Sequence, residues 1–443
     1  MTKYIKALAL LVSLVLGAVS CETNFDDPNS ATEEQVFSSR EGIFSAALGM
    51  QQLYAVVGVR WINETPAITT REAAITTTFQ NMIELEDGGT ELPNFNSNVQ
   101  GLWSTMLRVM KTAEDIENSI PNIELEAGTL SGLEAHAKIF KALAIGNLAQ
   151  NYEQVIVNTS NNNDATFVSR LEGFQTAISL LNEAASLLNN RTESEEFVNN
   201  ITKGEIDLTN VINAMIARYQ LFAGNYDAAI AAASSVDQTS TSFFSYDIQN
   251  PNPMWARIIQ NDAPNFKPRD NFGLPDSFVF EAGDGRLAFY LIPLDETNQN
   301  GLPIEDVSGF FNEITEPIPV YMPDEMNLII AEANLRKSSA DLGAATTALN
   351  LVLTDTDDPF DVNANVAAYS GANTAEALLD EIYKNRRAEL FLTGMSLEDS
   401  RRFNRPQPSG SAREFTEERN RNFYPFPDIE RNSNPNTPDD PTI

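Results

Sequence analysis

The stretch Leu208–Val236 reads LTNVINAMIARYQLFAGNYDAAIAAASSV. Apolar residues recur at helical spacing on both sides of Gly224-Asn225. Gly224 breaks the first helix, Tyr226 opens a second, and Ala229-Ile230 continue it. Small residues at facing positions, Ala217 before the turn and Ala229 after it, let two antiparallel helices approach closely. Glycine permits the tight turn because it has no Cβ to oppose a left-handed backbone. A looser copy runs through Leu328–Leu353, LIIAEANLRKSSADLGAATTALNLVL, where Ala333 and Ala345 keep the separation of Ala217 and Ala229.

Both hairpins resemble the tetratricopeptide (TPR) unit in spacing and residue type. One such hairpin cannot bury its apolar face alone, so the reading implies stacked neighbours. Helices are predicted over 39–57, 130–152 and 171–189. Another is predicted over 99–120, where Leu102, Trp103, Met106, Val109, Met110, Ala113 and Ile116 form one stripe. Trp103 lies in that stripe and reads as core. Segment 237–322 loses the helical period and is punctuated by prolines, yet Phe243, Phe244, Tyr246, Trp255, Phe266, Phe272, Phe278 and Phe280 supply apolar mass. Disordered chain is poor in aromatics, so this segment reads as a packed, loop-rich subdomain. Pro323 suits the first turn of the helix that follows. Residues 60–93 also lack a period and read as either a functional loop region or disordered chain. The expected fold is mostly α. TPR-like hairpins at about 99–236 and 323–393 form a superhelical layer, with the irregular subdomain and C-terminal tail packed on it, in one domain from residue 39 to 443.

Composition removes several function classes. The chain of 443 residues carries 29 Lys and Arg against 62 Asp and Glu, a net charge of −33. A phosphate backbone would be repelled, so no nucleic-acid partner is expected. One Cys and one His exclude an internal disulfide and a Cys/His metal cluster. His136 lies in a helical stretch with no nucleophile elbow nearby and reads as a helical or capping residue. No P-loop, dinucleotide-binding glycine pattern or HExxH is found. No catalytic residue, cofactor or metal is therefore predicted. Carboxylates are too abundant for counting to exclude a glycosidase, but nothing marks a particular pair. The acidic loop DTDDPFD (355–361) lacks the glycine and closing glutamate of an EF-hand and reads as a solvated turn, with Ca²⁺ as the alternative.

The N-terminus reads as an export signal. Lys3 and Lys6 precede an apolar run from Ala7 to Val15, then the small residues Gly17 to Ser20, then Cys21. This arrangement resembles a bacterial lipoprotein box, with Ala18 in place of the usual leucine. The expectation is a signal peptide at 1–20, lipidation at Cys21 and a polar tether within 21–38. Phe25-Asp26-Asp27 is similar to surface-export signals of Bacteroidetes lipoproteins.

A family resemblance rests on the C-terminal region. EIYKNRRAELFLTGMSLEDSRRFNR (381–405) carries Arg386-Arg387-Ala388-Glu389-Leu390, the turn glycine Gly394 and Asp399-Ser400-Arg401-Arg402. It resembles the signature of SusD/RagB-type nutrient-binding lipoproteins. Asp284-Gly285-Arg286-Leu287, Pro425-Phe426-Pro427 and Asn434-Pro435-Asn436 agree with it in order, whereas Met395-Ser396 departs from the usual turn. The resemblance implies a non-catalytic, outer-membrane, lipid-anchored protein facing the cell exterior. It would bind oligosaccharide and deliver it to a SusC-like TonB-dependent transporter in polysaccharide utilisation. Peptide cargo, a TPR-type scaffold or transporter lid, and a glycoside hydrolase are the alternatives. Independently of the family, Arg and Glu at helical spacing in this region read as a partly buried ion network. Arg386, Arg387, Glu389, Arg401 and Arg402 are thus expected to be structural, with a ligand site as the alternative, and the family resemblance adds Asp284 and Arg286 to that structural signature. Sugar rings pack apolar faces on aromatics, and their hydroxyls need polar partners. The candidate ligand residues are Trp61 as a platform with Asn63, Arg71 and Asn81, and Trp255 as a second platform. A core position is the alternative for both tryptophans.

Overall fold

The computed structural model describes residues 36–260, 263–406 and 418–443. The signal peptide, Cys21 and most of the tether lie outside the described residues.

The chain opens with one continuous helical run: α1 (Arg40–Gln52), a π-helical stretch (Leu53–Gly58) and α2 (Val59–Thr69). The Ser39 side chain caps it by accepting from the Gly42 N–H. The sequence reading ended this helix at residue 57 and expected loop from residue 60. The structure corrects that expectation. The Val59 N–H bonds the Tyr54 carbonyl, five residues back. One extra residue in a turn rotates the apolar stripe by about 100° and hides its period. The run is 30 residues long, long and apolar enough to cross a membrane by length and composition alone. Its Ile43, Ala47, Met50, Tyr54 and Val59 are nonetheless buried in the protein core.

The next helices are α3 (Gln80–Asp87), α4 (Ser97–Ser119), α5 (Ala127–Asn151), α6 (Arg170–Asn190), α7 (Leu208–Phe222) and α8 (Tyr226–Ala233). Successive members from α4 to α8 pack on one another as antiparallel pairs, as TPR-like hairpins do. At the α7–α8 turn Gly224 takes φ +78°, a backbone that a Cβ would oppose. Beyond α9 (Gly285–Tyr290) come α10 (Pro323–Arg336) and α11 (Leu342–Leu353), the second copy of the hairpin. Ala217, Ala229, Ala333 and Ala345 are all fully buried. α8 packs against α10 and joins the two copies into one layer. Across that joint the Arg218 guanidinium of α7 grips the Glu325 carboxylate of α10 at 2.7 and 2.5 Å, both groups buried. α12 (Ala375–Glu389), α13 (Ser396–Arg402) and α14 (Asp428–Ser433) complete the helices used here.

The irregular part is built from short antiparallel pairs. The strands are β1 (Ala73–Ile75), β2 (Gln154–Ile156), β3 (Phe167–Ser169), β4 (Phe243–Phe244), β5 (Phe266–Pro268), β6 (Leu291–Thr297), β7 (Pro303–Val307) and β8 (Ile318–Pro319). They pair as β1 with β5, β2 with β3, β4 with β8, and β6 with β7. In the first pair Ala73 faces Pro268 and Ile75 faces Phe266, which fastens the proline-rich middle to the segment after α2. Phe272, Tyr290, Phe311 and Phe391 meet in an aromatic cluster that gives this part its own apolar interior.

The C-terminal tail returns to the start of the domain. The Asn420 side chain donates to the Leu85 and Glu86 carbonyls, and Arg421 Nη1 to the Gly89 carbonyl. The Tyr424 hydroxyl meets Thr69 Oγ1 at 2.9 Å, and the Asp428 N–H bonds the Asn94 carbonyl. Trp103 is core: its ring stacks on Phe167 and its Nε1–H donates to Glu430 at 3.0 Å. His136 is buried too, against Phe140 and Phe197, with Nε2 at 2.9 Å from Gln51 Oε1. Burial pushes its pKa down to about 3, so the ring is neutral.

Candidate ligand-binding face

The arginines of the C-terminal signature lie inside the protein. Arg386 of α12 holds the Asp399 carboxylate of α13 at 2.8 and 3.1 Å. Arg402 also reaches Asp399 and bonds Glu332 of α10, while Glu398 takes Arg170 and Arg401. Burial opposes charge on Asp399, yet Arg386 and Arg402 outweigh it and hold the carboxyl below its ordinary range. Arg401 also donates to the carbonyls of Asn422 and Gln150, tying α13 to the tail and to α5. Arg387 bonds the Tyr383 hydroxyl and lies against Thr70. Arg286, fully buried, forks onto Asp284 at 3.0 and 2.7 Å and reaches Asn385 at 2.6 Å. Its Nη1 stands 3.6 Å from Glu389. Burial raises the Glu389 pKa well above the ordinary range, with Asp324 adding to the effect and Arg286 opposing it. The network joins α10, α12, α13 and the tail.

The candidate ligand residues divide. Asn63 and Arg71 turn inward, 3% and 2% exposed, and the expectation that they meet a ligand's hydroxyls is corrected. Arg71 Nη1 donates to the Glu86 carbonyl at 2.6 Å, so its charge ties α3 to the segment after α2. Asn63 borders a small internal cavity of about 50 Å³ shared with Tyr54, Asn147 and Arg218. Trp61 is half-buried on α2, not on a loop. The Arg60 guanidinium lies over its ring at 3.9 Å, and the ring packs on the backbone of α4 at Gly101. Trp255, also half-buried, opens a short helical turn whose Arg257 forks onto Glu64 of α2 at 2.7 and 2.9 Å. That ion pair ties the two tryptophan-bearing elements together. Burial and the neighbouring Arg257 charge lower the Arg60 pKa, partly offset by Glu64.

Asn81 sits at the surface end of this assembly, where α3 meets the start of α4. Asn96 donates to the Asn81 carbonyl at 2.8 Å and to Glu84 at 2.9 Å, and Asn98 donates to the Asn81 carbonyl at 3.1 Å. Beside this amide cluster stand two rings that the sequence reading did not single out as ligand platforms, Phe79 and Phe95, 60% and 61% exposed. Phe79 immediately precedes α3, and Phe95 immediately precedes the cap residue Asn96 of α4. Ile429, 56% exposed, begins α14 next to them. The Asp428 side chain accepts from Gln100, which fixes that edge to α4. Two solvent-facing rings and a rigid set of amides thus share one end of α4. Such a surface can cover an apolar ring face, with the buried Asn96 and Asn98, 1% and 0% exposed, holding the loop behind it rigid.

The acidic loop 355–361 folds back on itself, with Asp358 Oδ2 buried and left without a hydrogen-bond partner among the described residues. Asp358 accepts from the N–H groups of Phe360 and Val362, and Asp355 from that of Asp357. Among the described residues no group of three or more His, Cys, Asp or Glu is arranged to hold a metal.

No protein-family model matches the chain, and no curated protein matches it in sequence. Solved structures do match. A SusD homolog from Bacteroides thetaiotaomicron superposes with a TM-score of 0.69 at 12% identity, covering 93% of this chain and 99% of that one. A SusD-like carbohydrate binding protein from Bacteroides fragilis gives 0.68 at 13% identity, covering 90% and 99%. A SusD superfamily protein from B. thetaiotaomicron gives 0.64 at 17% identity, again covering 90% and 99%. The likeness is one of fold, and it runs nearly the whole length of both partners.

Proposed function

We propose that this chain, which has the SusD-like fold over nearly its whole length, is a non-catalytic binder of oligosaccharide. It would be anchored to the outer membrane through Cys21 and would deliver its ligand to a SusC-like TonB-dependent transporter. The observation that carries the binding step is the pair of exposed rings, Phe79 and Phe95, beside the Asn81–Asn96–Asn98 amides. A sugar presents an apolar C–H face, and the two exposed rings are its complement. Trp61 and Trp255, each half-buried, act as the frame behind the rings. The carbohydrate-binding description of one structural neighbour favours the same ligand class.

The test is calorimetric titration of the protein with a panel of oligosaccharides and peptides. Covering about 40 Å² on each ring contributes about 1 kcal/mol per ring at ~25 cal/mol/Å². The double variant Phe79→Ala/Phe95→Ala should therefore lose about 2 kcal/mol, roughly 30-fold in affinity. Circular dichroism should stay unchanged, because both rings are exposed. Binding that survives the double variant intact would remove this face as the site, and hits among peptides alone would replace the glycan.

A further inference from the structure

A second cleft lies on the other side of α14. It has a volume of about 350 Å³ and is bounded by α4, the loop between β2 and β3, and α14. That volume falls within the range of small-ligand sites, about 300–1,000 Å³. Its apolar lining is Leu107, Ile156 and Ala165; its polar lining includes Asn161, Asn163 and Arg108.

The loop that forms one wall is pinned. Thr159 bonds Glu114 through both its N–H and its hydroxyl. The tail closes over the other end: Asn434 donates to the Ala165 carbonyl at 2.9 Å, and Asn436 to the Asp164 carbonyl at 2.8 Å. The Asn-Pro-Asn motif of the tail is therefore a clamp on this loop. A wall fixed in this way needs little ordering on binding.

The charge of the cleft departs from the rest of the chain. Against a net charge of −33 it presents two cations, Arg108 and Lys111. Its own carboxylate, Glu430, is taken by Trp103 Nε1 and by Asn434. Lys111 is paired with Asp115 on the outer side of α4. The Arg108 guanidinium is exposed and has no hydrogen bond or ion pair among the described residues. A planar, unpaired guanidinium above an apolar floor matches a carboxylate attached to an apolar-faced ring.

We propose that this cleft is a second saccharide site, selective for a sugar acid of the uronate class. The ligand's carboxylate lies on Arg108, its ring face on Leu107 and Ile156, and its hydroxyls on Asn161 and Asn163. The site is separate from the Phe79–Phe95 face, since Ser97 and Arg108 are about 16 Å apart along the axis of α4 at ~1.5 Å per residue. The experiment titrates the full chain with digalacturonate, with the neutral galactobiose, and with trialanine as a carboxylate source that is not a sugar. Digalacturonate should bind saturably and at least tenfold more tightly than either of the others. Arg108→Gln should bring it down to the level of galactobiose. Phe79→Ala/Phe95→Ala should leave it unchanged, which separates this site from the face proposed above. No digalacturonate binding, equal binding of galactobiose or trialanine, or indifference to Arg108→Gln would each overturn the proposal.

Discussion

Gly101 tests the framework of the ligand-binding face. A Cβ placed on it would stand 2.4 Å from Trp61 Cε2, 2.6 Å from Cζ2 and 2.9 Å from Cδ2. Carbon atoms in contact are comfortable at about 3.5–4.0 Å, so the ring would have to retreat by about 1 Å. Its freedom to do so is limited by Arg60, whose guanidinium covers the ring at 3.9 Å and is paired with Glu64 at 3.6 Å. Two effects compete in Gly101→Ala. Replacing a glycine inside a helix by alanine is worth about 0.5–1 kcal/mol in favour of folding. Forcing a side chain into filled space costs about 1–3 kcal/mol. The clash wins, and a net loss of about 0.5–2 kcal/mol follows. Denaturant unfolding measures it, with tryptophan emission reporting a shifted Trp61. In a Trp61→Ala background the clash is gone and the same substitution should become stabilising. A gain in stability in the native background, or the same change in both backgrounds, would refute the packing argument.

Two further outcomes follow from buried charge. Arg218→Met strands the Glu325 carboxylate in the core and should cost about 3–5 kcal/mol, whereas Arg218→Met/Glu325→Leu should recover most of that loss. Additive losses in denaturant unfolding would show that the two groups do not act as a pair. Burial raises Asp324 to about 7 and Asp358 to about 6, above the ~3.9 of an unfolded aspartate. Raised carboxyl pKa values mean that the folded state holds more protons. Their stabilising contribution is complete below pH ~4 and is lost as pH rises through the folded values of 6 to 7. Asp324→Asn keeps an acceptor for Asn327 and should flatten that fall, as read from midpoints between about pH 4 and 8.

The helical layer was legible because period and residue size say the same thing there. The stripe of α4 and the small residues around Gly224 each state one helix face and one close approach. The segment after residue 57 was not legible, because the π-turn breaks the period and Pro66 suggests a stop. The face itself was half legible. Asn81 lies beside the two exposed rings, but Asn63 and Arg71 are polar residues whose partners lie in neighbouring elements. A sequence shows that an arginine is polar, not that the Glu86 carbonyl is waiting for it. Phe79 and Phe95 were missed for the converse reason. Isolated aromatics in an aperiodic stretch look like core, and only the packing of α3 against α4 leaves them in solvent.

The returning tail has a consequence for the order in which the domain packs. Asn420 closes on Leu85 across 335 residues, and Arg421 on Gly89 across 332. The entropy of such closures grows only with the logarithm of loop length, so the contacts are tolerable at equilibrium. They are nonetheless late events, since contacts distant in sequence form slowly. A chain still being threaded from its N-terminus holds the first half of the face and lacks the clasp that steadies it. The last few dozen residues are therefore what completes the packing at this end of the domain.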